Sequence, residues 1–238
     1  MRYLALDKLA GVDAADFARR QPYPWLGIAD LVTPEGYAEL LANMPGLDLF
    51  EKKFGYRRRA GQEPHDRYSL EFTPDTQVPA PWRAFIDELC NSGYREQIAR
   101  LFRCRRPTFR FHWHYTPTGC SVSPHCDAAR EYGSQLFYFN PEGDWQPEWG
   151  GGTLILDDGG RLSYDSAPAL EEFCAIHEAP SIGNQSTLIQ RTDHAWHAVR
   201  PIACPEGRLR RVFIVVVNPD TLYWRVRDRI VGKQVQRF

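Results

Sequence analysis

The sequence predicts a mainly β fold, a double-sheet roll of the jelly-roll kind, with α-helices flanking it. Three observations carry this expectation. From Thr108 the apolar spacing changes from about 3.6 residues to two, so that Phe109, Phe111, Trp113 and Tyr115 share one face of a strand and Arg110, His112 and His114 the other. Further short apolar runs follow at 136–140, 153–156, 186–190, 197–201 and 212–218. Between them stand turn signals such as Pro141-Glu142-Gly143-Asp144 and Asp157-Asp158-Gly159-Gly160. Many short strands with such punctuation indicate two packed sheets.

The elements before residue 108 read differently. Residues 13–20 and 34–43 have the character of short helices, the second with Thr33 as N-cap and Pro34 at the first helical position. Residues 22–28 are extended, because a residue that precedes proline is pushed out of the α region. In 81–90, Trp82, Phe85, Ile86 and Leu89 fall on one helical face. With a second helix at 93–102 it is expected to brace the outside of the roll. Residues 52–68 are polar and basic with interleaved aromatics. They predict a surface loop, or a lid whose Arg57, Arg58, Arg59 and Arg67 would suit an anionic group. The face of the 108–115 strand that carries His112 and His114 is expected to look outward. His65 and His177 are placed in loops without a motif, and residues 161–180 form an insertion, a candidate flap with no assigned role.

Composition narrows the function classes. At 238 residues, 43% apolar and 13% aromatic, the chain can build a substantial core and is read as one domain. Its parts are a mostly helical 1–107, a β-roll at 108–219 and an extension at 220–238. Lysine plus arginine (29) nearly balance aspartate plus glutamate (30), so no basic field points to nucleic acid. No run of about 18 apolar residues points to a membrane, and the N-terminal residues lack the apolar core of an export signal. Six cysteines without a Cys-x-x-Cys pair fit reduced thiols in a cytoplasm better than a disulfide framework. The expected partner is a small-molecule substrate.

The chemistry centres on Pro124-His125-Cys126-Asp127. Residues i and i+2 of an extended segment project to one side, so His125 and Asp127 can meet one ion while Cys126 turns away. A second histidine would complete two imidazoles and a carboxylate on one face of a metal, the pattern of non-haem Fe(II) oxygenases. Downstream come Gly150-Gly151-Gly152-Thr153-Leu154-Ile155-Leu156 and Ala195-Trp196-His197-Ala198-Val199. Arg208-Leu209-Arg210-Arg211 then runs into Val212-Phe213-Ile214-Val215-Val216-Val217. In this order the pieces resemble the 2-oxoglutarate/Fe(II)-dependent dioxygenases, most closely their prolyl-hydroxylase-like branch, over 109–219, roughly half of the chain.

The resemblance implies a double-stranded β-helix of the cupin-like type that uses Fe(II), 2-oxoglutarate and O2. His125 and Asp127 match the first two metal ligands. Of His194 and His197, the Trp-His-x-Val context selects His197, and His194 would face the other side of an extended segment. Arg210 matches the arginine that holds the cosubstrate's distal carboxylate, and a shift of one residue in register would exchange it for Arg211. Tyr115, ten positions before His125, and Tyr138 match tyrosines that face the cosubstrate. Arg58, Arg67 and Arg130 are candidates for an anionic substrate. The implied activity is hydroxylation of an unactivated C–H, with release of succinate and CO2. The substrate is expected to be small and anionic or amino-acid-like; a peptide hydroxylase and a non-catalytic β-roll binding module are the alternatives.

Overall fold

The computed structural model describes residues 2–238 except 57, 59, 60, 92, 222 and 224–235. Two antiparallel sheets face one another. The larger has the order β1 (Trp25–Ala29), β9 (Gln185–Gln190), β6 (Gly133–Tyr138), β11 (Leu209–Pro219), β4 (Pro107–Pro117), β3 (Arg67–Glu71), β2 (Glu51–Lys53). The smaller has the order β5 (Val122–His125), β10 (Trp196–Val199), β7 (Thr153–Asp157), β8 (Ala175–Ala179). The helices are α1 (Leu6–Ala10), α2 (Ala14–Ala18), α3 (Pro34–Ala42), α4 (Ala80–Asn91) and α5 (Tyr94–Leu101). Among the described residues, no helix is long and apolar enough to cross a membrane, and all six cysteines are free.

The period-two alternation divides the large sheet between two environments. Phe109, Phe111, Trp113, Phe213, Val215 and Val217 lie on the face that packs against the helices, in one core with Trp82, Phe85, Ile86, Leu89, Tyr94 and Ile98. Trp82 sits at its centre, with its ring 4.9 Å from Phe139, 5.1 Å from Phe213 and 5.3 Å from Trp113. The opposite face looks into the roll, where Leu136, Tyr138, Ile189 and Val212 meet Ile155 and Tyr23. A third cluster of Leu154, Leu156, Phe173, Trp196 and Ala198 covers the outer side of the small sheet.

Most predicted elements are present with ends shifted by one to three residues. The N-terminus of α2 is capped by Asp13, whose carboxylate accepts from the Ala15 and Asp16 amides. Thr33 caps α3 through the Gly36 amide. Three elements depart from expectation. Residues 52–68 are not wholly a loop: β2 and β3 enclose the loop and extend the large sheet beyond β4. The 161–180 insertion contributes β8, which pairs with β7 and carries His177. The His112 and His114 face of β4 looks into the roll and not outward, because the helices occupy the apolar face.

Candidate functional site

Cross-strand register builds the centre of the site. His197 on β10 is paired directly with His125, the last residue of β5, and the two ring centroids stand 4.3 Å apart. Asp127 follows two residues later, and its Oδ1 lies 3.6 Å from His197 Nε2. One ligand atom from each of His125, Asp127 and His197 lies within 4.8 Å of the others. Cys126 turns aside, with its thiol donating to the Asp193 carbonyl at 3.7 Å.

The hydrogen bonds around the rings fix their tautomers. His125 Nδ1 is 3.0 Å from the Ser123 carbonyl, and His197 Nδ1 is 3.1 Å from the Ala195 carbonyl. A carbonyl only accepts, so both Nδ1 atoms donate and both Nε2 lone pairs remain for a metal. Burial first, and then neighbouring His197, holds His125 well below the ordinary histidine pKa, which keeps it in the neutral form that ligation needs. Ser134 Oγ donates to Asp127 Oδ2 at 3.1 Å. Two imidazoles and a carboxylate, each held by a further hydrogen bond, fit an octahedral ferrous ion with one face left open.

The triad lies on a cavity of about 350 Å³, lined also by Arg210, Thr153, Ser134, Ile214 and Val216. Arg210 is 4% exposed. Its Nε donates to the Gly151 carbonyl at 2.6 Å, and its Nη2 donates to Thr153 Oγ1 at 3.4 Å. Its guanidinium lies 5.7 Å from the centre of the Tyr138 ring, and the Tyr138 hydroxyl meets Thr153 Oγ1 at 2.7 Å and Thr187 Oγ1 at 3.1 Å. Among the described residues no carboxylate pairs with Arg210, and burial lowers its pKa. Arg211 is on the other face, opposite Tyr115, with its amide donating to Asn140 Oδ1.

The remaining expected residues divide. Arg58 and Arg67 line the cavity. Arg130 is half-buried and is not part of the lining. Arg57 and Arg59 lie outside the described residues. Tyr115 is corrected: it belongs to the helix-facing core, 4.3 Å from Phe50 between ring centroids, and its hydroxyl donates to the Pro45 carbonyl at 3.1 Å. Position 115 has the parity of Phe111 and Trp113, and that parity points away from the cavity. His194 is away from the triad, with Nδ1 2.9 Å from Asp158 Oδ2.

Three further histidines line the cavity. His112 and His114 project into it from β4. Burial, followed by the charges of nearby arginines, pushes His112 down to about 3 and His114 well below its usual value. His65 stands edge-on to His125, 4.6 Å between centroids. Arg58 donates to its Nε2, which also meets Ser123 Oγ at 3.1 Å. The strict alternation of β4 could have revealed His112 and His114 once the helices were assigned to the apolar face. Nothing local could have revealed His65.

No protein-family model matches the chain, and no curated protein matches it by sequence. Solved structures do match. A prolyl-4-hydroxylase from Pseudomonas putida superposes with a TM-score of 0.61 at 18% identity, over 89% of this chain and 99% of that one. A prolyl hydroxylase from Trichoplax adhaerens, in complex with a peptide fragment of hypoxia inducible factor, gives 0.55 at 13%, over 88% and 87%. SnoK, a non-haem α-ketoglutarate-dependent carbocyclase from nogalamycin biosynthesis, gives 0.59 at 12%, over 89% and 85%. At these identities the likeness is one of fold. The fold is the double-stranded β-helix of 2-oxoglutarate/Fe(II) oxygenase structures.

Proposed function

We propose that the protein is a 2-oxoglutarate- and Fe(II)-dependent oxygenase that hydroxylates an unactivated C–H of a small anionic or amino-acid-like molecule. One observation carries this reading. Two imidazoles and a carboxylate share a 350 Å³ cavity with a buried arginine that no carboxylate pairs with among the described residues. A desolvated guanidinium without a counterion is costly, and a planar fork is the group best suited to a carboxylate arriving from outside.

His125, Asp127 and His197 would hold the iron, which when bound supplies the oxidation of the cosubstrate and the C–H bond. The chain's own residues do the rest. Ser123 and Ala195 carbonyls keep the two imidazoles turned with Nε2 inward, and Ser134 orients Asp127. Arg210, set by Gly151 and Thr153, would take the distal carboxylate of 2-oxoglutarate, with Tyr138 forming the wall behind it. Ile214, Val216 and Leu136 line the same cavity with apolar surface and exclude water. In this reading the roll at 108–219 is the catalytic core, with the preceding residues as its brace and lid. Six unpaired cysteines suit a reducing, cytoplasmic setting in which ferrous iron persists.

A second reading, a peptide hydroxylase of the same chemistry, has one observation in its favour. A second groove of about 440 Å³ runs between residues 61–63 and 167–171 and shares Val122 and Val199 with the cavity. The cavity's size, near the lower end for ligand pockets, favours the small molecule.

Anaerobic titration with Fe(II) and 2-oxoglutarate, followed by succinate formation on admission of air, tests the enzyme reading. Saturable binding of both, lost in Asp127→Ala, is expected. Binding of the metal without any 2-oxoglutarate dependence would leave only a metal-binding β-roll.

A further inference from the structure

Three cations stand at one level of the large sheet. Arg210 on β11 is paired with Thr116 on β4. Arg67, the residue before the Tyr68–Tyr115 pair, falls beside Thr116 on the other side, and Arg67 is paired with Lys53 on β2. With strands about 4.8 Å apart, two steps put the Arg67 backbone roughly 10 Å from that of Arg210. Both arginines and Lys53 line the cavity that holds the triad.

The surrounding bonds separate the roles of these cations. Arg58 is committed to His65 Nε2. Arg110 is paired with Glu131 at 2.7 Å, and Lys53 with exposed Glu51 at 3.2 Å. Arg67 is different. Its Nη1 donates to the His65 carbonyl at 2.7 Å, while its Nε is buried with no acceptor. No carboxylate pairs with it among the described residues. Burial lowers its pKa, which records how little water it keeps. A guanidinium so placed is half-satisfied by the protein and has a donor edge left over.

We propose that Arg67, backed by Lys53, is the station for an anionic group on the primary substrate, a carboxylate or a phosphate, distinct from the Arg210 station. The assignment rests on the oxygenase reading above. It makes the β2–β3 addition to the roll the element that selects the substrate. Cosubstrate and substrate would then each present an anion to the same sheet, with Thr116 between them. Arg58 acts as a tether for His65 and not as part of the clamp.

The test uses the full chain loaded anaerobically with Fe(II) and 2-oxoglutarate. The probes are free L-amino acids with their carboxamides, and phosphomonoesters with their parent alcohols, measured by thermal shift and calorimetry. At least one acid is expected to bind about 10-fold or more tightly than its neutral partner, the loss of one charge-assisted hydrogen bond. Which arm responds tells carboxylate from phosphate. Arg67→Gln should bring acid and neutral partner to parity, and Arg67→Lys should restore part of the difference, both with 2-oxoglutarate affinity retained. Discrimination that survives in Arg67→Gln, or a panel in which no acid is preferred, overturns the assignment. Absence of 2-oxoglutarate binding by the unsubstituted protein overturns instead the oxygenase reading.

Discussion

Gly151 and Arg210 are made for one another. The Gly151 carbonyl accepts from Arg210 Nε at 2.6 Å, and a Cβ on residue 151 would stand 3.1 Å from Arg210 Cδ. The backbone there has φ +95°, a region that L side chains rarely adopt. Gly151→Ala should therefore cost about 1–3 kcal/mol of backbone strain and push the guanidinium off its position. A lower Tm together with weaker 2-oxoglutarate binding is expected. Unchanged binding would mean that Arg210 does not need the Gly151 contact.

Arg210 and its neighbour Arg211 provide an internal control, since they lie on opposite faces of β11. Arg210→Lys keeps the charge and loses the fork. It should weaken 2-oxoglutarate binding by the equivalent of about 1.5–3 kcal/mol, or about 10- to 150-fold. Arg211→Lys should change it little. Calorimetric titration of the two variants decides the matter, and the reverse order would place the cosubstrate elsewhere.

The sequence was informative where side-chain periodicity and local motif coincide. The His125–Asp127 pair needs only an extended segment, and alternation along β11 puts Arg210 on the face of Val212, Ile214 and Val216, while its role is what the resemblance implies. Tyr115 shows the limit. Alternation says which residues share a face but not which layer that face meets. Both faces of β4 are covered, one by helices and one lining the cavity, so its apolar face is not the inner one. His65, β2 and β8 were invisible for a different reason. Glu51-Lys52-Lys53 and Ala175-Ile176-His177-Glu178-Ala179 lie at sheet edges with solvent beside them, and edge strands need no apolar alternation.

The half-buried histidines of β4 should leave a mark on stability. His112 is pushed down from its ordinary value to about 3, chiefly by burial. Between pH 6.5 and about 3 the unfolded chain binds a proton at this position and the folded chain does not. Its contribution is thus fully present above pH 6.5 and is lost as pH falls through that window. His112→Gln should flatten the decline of Tm between pH 7 and 5 relative to the parent chain. A parallel decline in both would show that His112 is protonated in the folded state.

Metal retention gives the sharpest test of the triad, because the surrounding hydrogen bonds rank the variants. Asp127→Ala removes a ligand and should abolish stable Fe(II) binding and substrate turnover, with the fold intact by circular dichroism. Ser134→Ala leaves all three ligands but frees the carboxylate from its 3.1 Å partner. Loss of such an orienting bond typically costs about 10- to 100-fold in metal affinity. His194→Ala should bind metal as the parent does, since that ring serves Asp158. The expected order of affinity is therefore parent and His194→Ala together, then Ser134→Ala, then Asp127→Ala. Loss of iron from His194→Ala alone would assign the third ligand to the wrong histidine, and full retention in Asp127→Ala would remove the carboxylate from the set.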